Sequence, residues 1–248
     1  MPSRSRAPFV ALTALLSRRF PDLGDPTAHV VSGQVLVDGA VVSNPRARVR
    51  SDASVKLKEH AGLRGTVKLA HVISELSLDL SGKVAVDVGA AAGGFTQALL
   101  DTGCSRVYAV DTGFGQLRGH LRSDSRVVAL ERTNLGSLDE GLVPDVVDVV
   151  TVDLSYLSLA DAAPQLGQLR LGSGVELLAL VKPTYELHAS TLAASKEDLL
   201  AAVAAAKAAL AEEGWRVAAT VASPIGGASG AVEEFVYATR RKLFQPRR

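Results

Sequence analysis

The stretch that decides the fold is Val84–Asp111, VAVDVGAAAGGFTQALLDTGCSRVYAVD. It predicts a strand, a glycine-rich turn, a helix and a second strand. Val84, Ala85, Val86 and Val88 form a short apolar run, as in a strand buried on both faces. Asp87 interrupts that run just before the turn. Gly89, Gly93 and Gly94 allow the backbone to come close to a ligand. Phe95, Ala98 and Leu99 continue as a helix that stops at Gly103, and Val107–Val110 read as a second buried strand ending in Asp111. An acid there, about 20 residues past a glycine turn, is placed to hydrogen-bond a ribose. The segment therefore predicts a site for a nucleoside-containing cofactor.

A dinucleotide site would want G-x-G-x-x-G, to bring a helix N-terminus onto a pyrophosphate. The turn here is DVGAAAGGF, which lacks that spacing. S-adenosyl-L-methionine carries no phosphate and does not need it. Asp87 then serves its ammonium or sulfonium side, Asp111 its ribose hydroxyls, and Gly89, Gly93, Gly94 and Phe95 complete the cofactor site. The alternative is a Rossmann-like domain whose glycines serve packing alone. Two placed acids beside the glycines favour the cofactor.

The chain has 248 residues, 47% hydrophobic and 21% charged, enough for a substantial core. No apolar run approaches a membrane span, so no membrane partner is expected. Phe9–Leu16, FVALTALL, is followed by Arg18 and Arg19 and reads as a core helix rather than a signal peptide. Cys104 is the single cysteine, which excludes an internal disulfide and a cysteine-based metal cluster. A reducing, cytoplasmic setting fits, and no metal site is expected. The net charge of +1 hides an asymmetry. Residues 1–65 hold ten Lys/Arg against five Asp/Glu, and the rest holds seventeen against twenty-one. The basic N-terminal part points towards a nucleic-acid partner.

The first 60 residues read as a small α+β module. Ala11–Phe20 and a segment starting at Pro26 are helix candidates, and Gln34–Val42 reads as a hairpin turning at Asp38-Gly39. Val55 and Leu57 give a last short strand, and the polar run KEHAGLRGT a link. From Val67 onward strands alternate with helices, which implies a mostly parallel sheet. Val67, Ala70, Ile73, Leu76 and Leu80 form a helical apolar stripe. Further strands are expected at Val127–Leu130, Val146–Val152 and Leu177–Val181, and an alanine-rich helix at Glu197–Leu210. Trp215–Ala222 and Phe235–Thr239 close the sheet as an antiparallel pair, and the basic tail from Arg240 frays. Seven strands result.

In open α/β sheets ligands bind outside the carboxyl ends of the strands. Asp87, Asp111, Asp153 and Lys182 all fall at such ends. Asp153 and Lys182 follow apolar strands directly, where a charge is costly unless paired or functional. They read either as a reactive pair above the cofactor turn or as a structural ion pair capping the sheet.

DVGAAAGGFTQALL, VYAVDTGFGQL, LERTNL, DLSYLSL, LVKPTYE and SPIGGASGAVEEF follow one another in this chain. In that order they resemble the TlyA family of ribosomal RNA 2'-O-methyltransferases, also labelled haemolysins. The resemblance implies an S4-like RNA-binding domain at 1–60, a linker at 61–66 and an FtsJ/RrmJ-like methyltransferase domain at 67–248. It implies a Rossmann-like S-adenosylmethionine-dependent fold, an RNA partner in the ribosome, and a catalytic Lys-Asp-Lys-Glu set. The matching positions are Lys68, Asp153, Lys182 and Glu233, with Glu234 adjacent to the last. The resemblance also adds Asp153 to the cofactor site.

The chain departs from the family pattern in places. Leu63-Arg64-Gly65-Thr66 stands for Ser-Arg-Gly-Gly, Ala231 for Asn, and Ala11-Leu12-Thr13 for the Arg-Leu-Asp that opens the S4-like module. Arg46, Arg48 and Arg50 are candidates to compensate. Leu187–Ala194 is short and lacks the usual basic and glycine residues. These departures keep two alternatives open: methylation of a small molecule with a vestigial arm, and a non-catalytic RNA-binding or ribosome-assembly protein.

Overall fold

The computed structural model describes residues 7–21, 23, 25–31, 35–57, 63–187, 195–227 and 231–240. The chain divides into two compact units, Met1–Ala61 and Gly62–Arg248. Most of the expected link, the tip of SPIGGASG, most of Leu187–Ala194 and the tail beyond Arg240 lie outside the described residues.

The first unit contains β1 (Phe9–Ala11), α1 (Leu12–Arg19), α2 (Pro26–Val31), β2 (Val35–Val37), β3 (Ala40–Val41), β4 (Arg48–Arg50) and β5 (Val55–Leu57). The Asp38-Gly39 turn joins β2 to β3 with both residues at positive φ, and β5 pairs on the other side of β2. β1 and β4, unexpected from sequence, form a separate antiparallel pair. At three residues each they are too short to show an alternating pattern. Leu12, Leu15, Leu16, Val30, Val35 and Val55 make the small core.

The second unit opens with α3 (Arg64–Glu75), followed by β6 (Val84–Val88), α4 (Gly94–Asp101), β7 (Arg106–Asp111), α5 (Gly119–Arg122) and β8 (Val127–Glu131). Then come β9 (Val147–Val152), α6 (Leu159–Leu166), β10 (Leu171–Val181), α7 (Pro183–Glu186), α8 (Lys196–Glu212), β11 (Arg216–Ala222) and β12 (Glu234–Arg240). The seven strands lie in the order β11-β12-β10-β9-β6-β7-β8, with β12 antiparallel to both neighbours and the other pairings parallel. This is the expected Rossmann-like, mostly parallel sheet. β10 is longer than expected: it starts at Leu171 and carries Gly172 and Gly174 through a register shift against β9.

The strands alternate between two apolar faces, as their period of two requires. Val86, Val88, Val150 and Val152 face α6 and α8, while Ala85, Val107 and Val149 face α3, α4 and α5. The chain lays β6, β7 and β8 outward in one direction, then crosses back to lay β9 on the other side of β6. The order reverses between β6 and β9, and there the carboxyl ends of the strands open a crevice.

One expectation needs correcting. Of the stripe Val67, Ala70, Ile73, Leu76 and Leu80, only Ile73 and Leu80 are buried. α3 instead buries Lys68, Leu69, Val72 and Ile73. The helix also begins at Arg64, so three residues of the expected 61–66 linker are its first turn. Lys68 lies on the inward face, and a search for apolar residues alone sets the stripe one position off.

Candidate active site

The turn after β6 is built by close backbone approach. Gly89 has φ +88°, and a Cβ there would stand 2.4 Å from the Asp153 carbonyl oxygen. Gly93 has φ +94°, and a Cβ there would meet Leu121 at 2.2 Å. Both positive φ values favour glycine, and at Gly89 the backbone contact excludes a side chain as well. Gly94 has a packing role of its own. A Cβ on Gly94 would lie 2.9 Å from Gly65 Cα, so this glycine lets α3 and α4 cross. Phe95 is buried in the core with its ring centroid 5.7 Å from that of Phe235.

The two acids that frame the turn differ. Asp87 is fully buried; Thr96 Oγ1 donates to it at 2.6 Å and Thr151 Oγ1 at 2.9 Å. Burial pushes its carboxyl up to about 6, against the two threonine hydrogen bonds. Asp87 shares a sheet face with Ala85, under α4, and through these two threonines ties β6 to α4 and β9. Asp111 is the last residue of β7 and is partly exposed. The Ala91 N–H donates to its Oδ2 at 2.8 Å and the Gly113 N–H to its Oδ1 at 2.6 Å. Ala91, at φ +44°, is thereby held in a conformation unusual for a residue with a side chain.

Two ion pairs stand at the same edge. Lys68 of α3 pairs with Glu233, and both are buried. Lys182 Nζ lies 2.5 Å from Asp153 Oδ1 and donates to Ser155 Oγ at 2.9 Å. The contact with Asp153 is out of hydrogen-bond alignment, and Asp153 Oδ1 is a buried acceptor with no aligned donor. Sheet register explains the convergence. Val181 pairs with Glu234 in the antiparallel β10–β12 ladder, so the next position sets Lys182 across from Glu233. Val152 pairs with Val88 and Ala179, which brings Asp153 between Gly89 and the end of β10. Of the two adjacent acids, Glu233 meets Lys68, while Glu234 begins β12.

Ser155 and Glu186 escaped the sequence reading, although both lie in quoted motifs. The Leu159 N–H donates to Glu186 at 2.9 and 3.1 Å, which ties α7 to the start of α6 and steadies the Asp153–Ser158 loop. Burial pushes the Glu186 carboxyl up to about 7. Lys182, Tyr185 and Glu186 share a small cavity with Leu154, Leu157 and Leu159.

The FtsJ-like methyltransferase family matches residues 63–241. The 16S/23S rRNA (cytidine-2'-O)-methyltransferase TlyA of Mycobacterium tuberculosis (strain ATCC 25618 / H37Rv) is 35% identical over 215 residues, covering 83% of this chain and 80% of that protein. The chain belongs to the TlyA family of FtsJ-like methyltransferases. A solved structure from Streptococcus thermophilus, described as a hemolysin, superposes with a TM-score of 0.68 at 26% identity, covering 95% of this chain and 90% of that one. A Listeria monocytogenes structure, described as an S-adenosylmethionine-dependent methyltransferase, shares the fold with a TM-score of 0.53 at 15% identity, over 73% of this chain and all of that one.

The chain is thus a methyltransferase with S-adenosyl-L-methionine as its methyl donor. The residues present fit that donor: the turn from Gly89 to Gly93 carries nothing larger than alanine, and Asp111 offers a carboxylate at the sheet end. Among the described residues no helix is long and apolar enough to cross a membrane.

Proposed function

We propose that this chain methylates the ribose 2'-hydroxyl of RNA, with ribosomal RNA as the substrate class and Lys68, Asp153, Lys182 and Glu233 as its working set. The observation that carries the reading is the pair Asp153–Lys182 at the sheet's switch point, beside the glycine turn. When bound, S-adenosylmethionine supplies a methyl group on a cationic sulfur, which leaves with the bonding electrons. Lys182 Nζ takes the proton that the 2'-hydroxyl loses as its oxygen bonds to the methyl carbon. It can do so only as a neutral amine. Asp153 and Ser155 hold Nζ in place. Glu233 positions Lys68 at the site, and Asp111 holds the cofactor ribose. Much of the rate then comes from alignment. The names of relatives that act on ribosomal RNA support this substrate.

Residues 1–60 act in this reading as an S4-like RNA-binding arm, joined by the linker to the methyltransferase domain. Arg46, Arg48 and Arg50 are exposed there, with Arg48 donating to the Phe9 carbonyl and Arg50 paired with Asp52, so phosphates would compete for Arg50. The reading implies a cytoplasmic protein working on ribosomal subunits. The deciding experiment offers labelled cofactor and the purified protein to ribosomal subunits, free RNA and a small-molecule extract side by side. Label is expected in a 2'-O-methylated nucleoside after RNA digestion. Label confined to the small-molecule fraction would sink the proposal. Deleting residues 1–60 should weaken RNA binding and flatten its salt dependence; an unchanged salt slope removes the arm from recognition.

A further inference from the structure

Arg64 and Lys68 are four residues apart on α3 and so lie on one face of it. Each reaches the chain segment that leads into β12. Arg64 Nη2 donates to the Gly226 carbonyl at 2.5 Å and to the Gly227 carbonyl at 2.9 Å. Lys68 Nζ pairs with the Glu233 carboxylate. The two grips are linked at Gly227. A Cβ on Gly227 would stand 2.1 Å from Glu233 Oε1 and 2.7 Å from its Cδ. The Glu233 carboxylate therefore lies across the bare Cα of a residue whose carbonyl Arg64 holds. The Gly227 N–H donates to the Ala231 carbonyl at 2.7 Å, and the Ser223 N–H to the Glu233 carbonyl at 3.0 Å, closing the base of the loop.

The helix carrying these side chains is itself fixed to the cofactor turn. Thr66 Oγ1 donates to the Gly94 carbonyl at 2.9 Å, and Gly65 rests on Gly94. One turn of α3 thus contacts the helix that follows the cofactor turn and the loop that delivers Glu233.

We propose that Arg64 is a positioning residue, which by holding the Gly226 and Gly227 carbonyls seats Glu233 against Lys68. The proposal rests on the reading in which Lys68 and Glu233 serve methyl transfer. It also accounts for the choice between neighbouring acids: the loop is pinned so that Glu233 turns inward.

The test is a double-mutant cycle on the full-length protein, with kcat, the KM for RNA and the Kd for S-adenosylmethionine measured for each variant. Arg64→Ala is expected to lower kcat about 10- to 100-fold, the scale of a small misplacement, with cofactor Kd unchanged. In the Glu233→Gln background, Arg64→Ala should add nothing, because the residue it positions is already disabled. Arg64→Lys, which keeps one donor, should recover part of the rate. Gly227→Ala leaves Arg64 in place and should lower kcat alike by displacing Glu233, which guards against poor folding of the arginine variant. Full activity in Arg64→Ala, or losses that multiply independently in the double variant, overturns the proposal. Full activity in Glu233→Gln overturns the underlying reading instead.

Discussion

The carboxyl edge of the sheet has a sealed part and an open part, built from the same residue types. Asp87 is fully buried, and the side chains of Lys68 and Glu233 are 8% and 5% exposed. A few residues away Lys182 and Asp153 keep 16% and 25%, and Asp111 is partly exposed. The sealed groups have satisfied partners in the fold: two threonines for Asp87, a counter-ion for Lys68. The open pair is close but out of hydrogen-bond alignment, and Asp153 Oδ1 has no aligned donor. Sealed charges fix geometry and act on stability, since any unpairing leaves a desolvated group behind. Open charges remain available to a ligand and should act on binding and turnover.

The largest effect should come from breaking the sealed pair. Glu233→Ala leaves the Lys68 ammonium buried without a counter-ion, and about 3–5 kcal/mol of stability should be lost. Asp153→Ala, at the open pair, should cost about 1 kcal/mol or less. Urea unfolding of both variants decides this, and equal losses would erase the distinction.

The next effect is pH-dependent. The Asp87 carboxyl titrates near 6 in the fold against 3.8 when unfolded, so the native state binds its proton more tightly. Its contribution therefore favours folding below about pH 4, declines as pH rises to about 6 and is flat beyond, a span of about 3 kcal/mol. Glu186, pushed up to about 7, adds a slope of the same sign. Asp87→Asn should remove the Asp87 share and leave the rest. Identical stability–pH curves for the two proteins would place Asp87 outside the sealed group.

The difference between Asp87 and Asp111 shows what the sequence could convey. Each is an acid after a mostly apolar run, and local spacing correctly set both near the ends of neighbouring strands. Their environments depend on partners the spacing does not reveal. Asp87 sits one position inside its strand, on the face that meets Thr96 and Thr151; Asp111 is the last residue of its own. The same limit explains Phe95 and Gly94. Their packing partners are Gly65 and Phe235, both distant in the chain, which no local spacing reveals. Lys68 was reachable only through motif resemblance, because a buried lysine on an apolar helix face reads as a break in the pattern. Short, mostly apolar strands such as β6 and β9 were legible because their burial on both faces is written in consecutive residues.

Turnover should separate the open pair from a structural one. Lys182→Ala should fold and bind S-adenosylmethionine normally, yet lose at least ~10²-fold in methyl transfer, the scale of a lost acid–base group. Lys182→Arg keeps a positive charge beside Asp153 but cannot become neutral at working pH. It should therefore fail to restore the rate. Full activity in Lys182→Arg, measured by single-turnover methyl transfer, would make Lys182 a positioning charge and move the pair into the sealed class.

The smallest expected effect tests the open acid at the cofactor turn. Asp111 braces two backbone N–H groups and presents its carboxylate at the end of β7, where a ribose would lie. Asp111→Ala should weaken S-adenosylmethionine binding by about 1–3 kcal/mol, the scale of a lost charge-assisted hydrogen bond. By titration calorimetry that is roughly a 5- to 150-fold rise in Kd. Asp111→Asn keeps a carbonyl acceptor for Ala91 or Gly113 while removing the charge, and should fall between wild type and the alanine variant. Loss of the brace also frees Ala91 from its positive φ, which limits the cost to folding. Affinity should thus fall much more than unfolding stability, the opposite of the ratio expected for Glu233→Ala. An unchanged Kd in a folded Asp111→Ala protein would leave Asp111 only its bracing role and shift the ribose contact to another group.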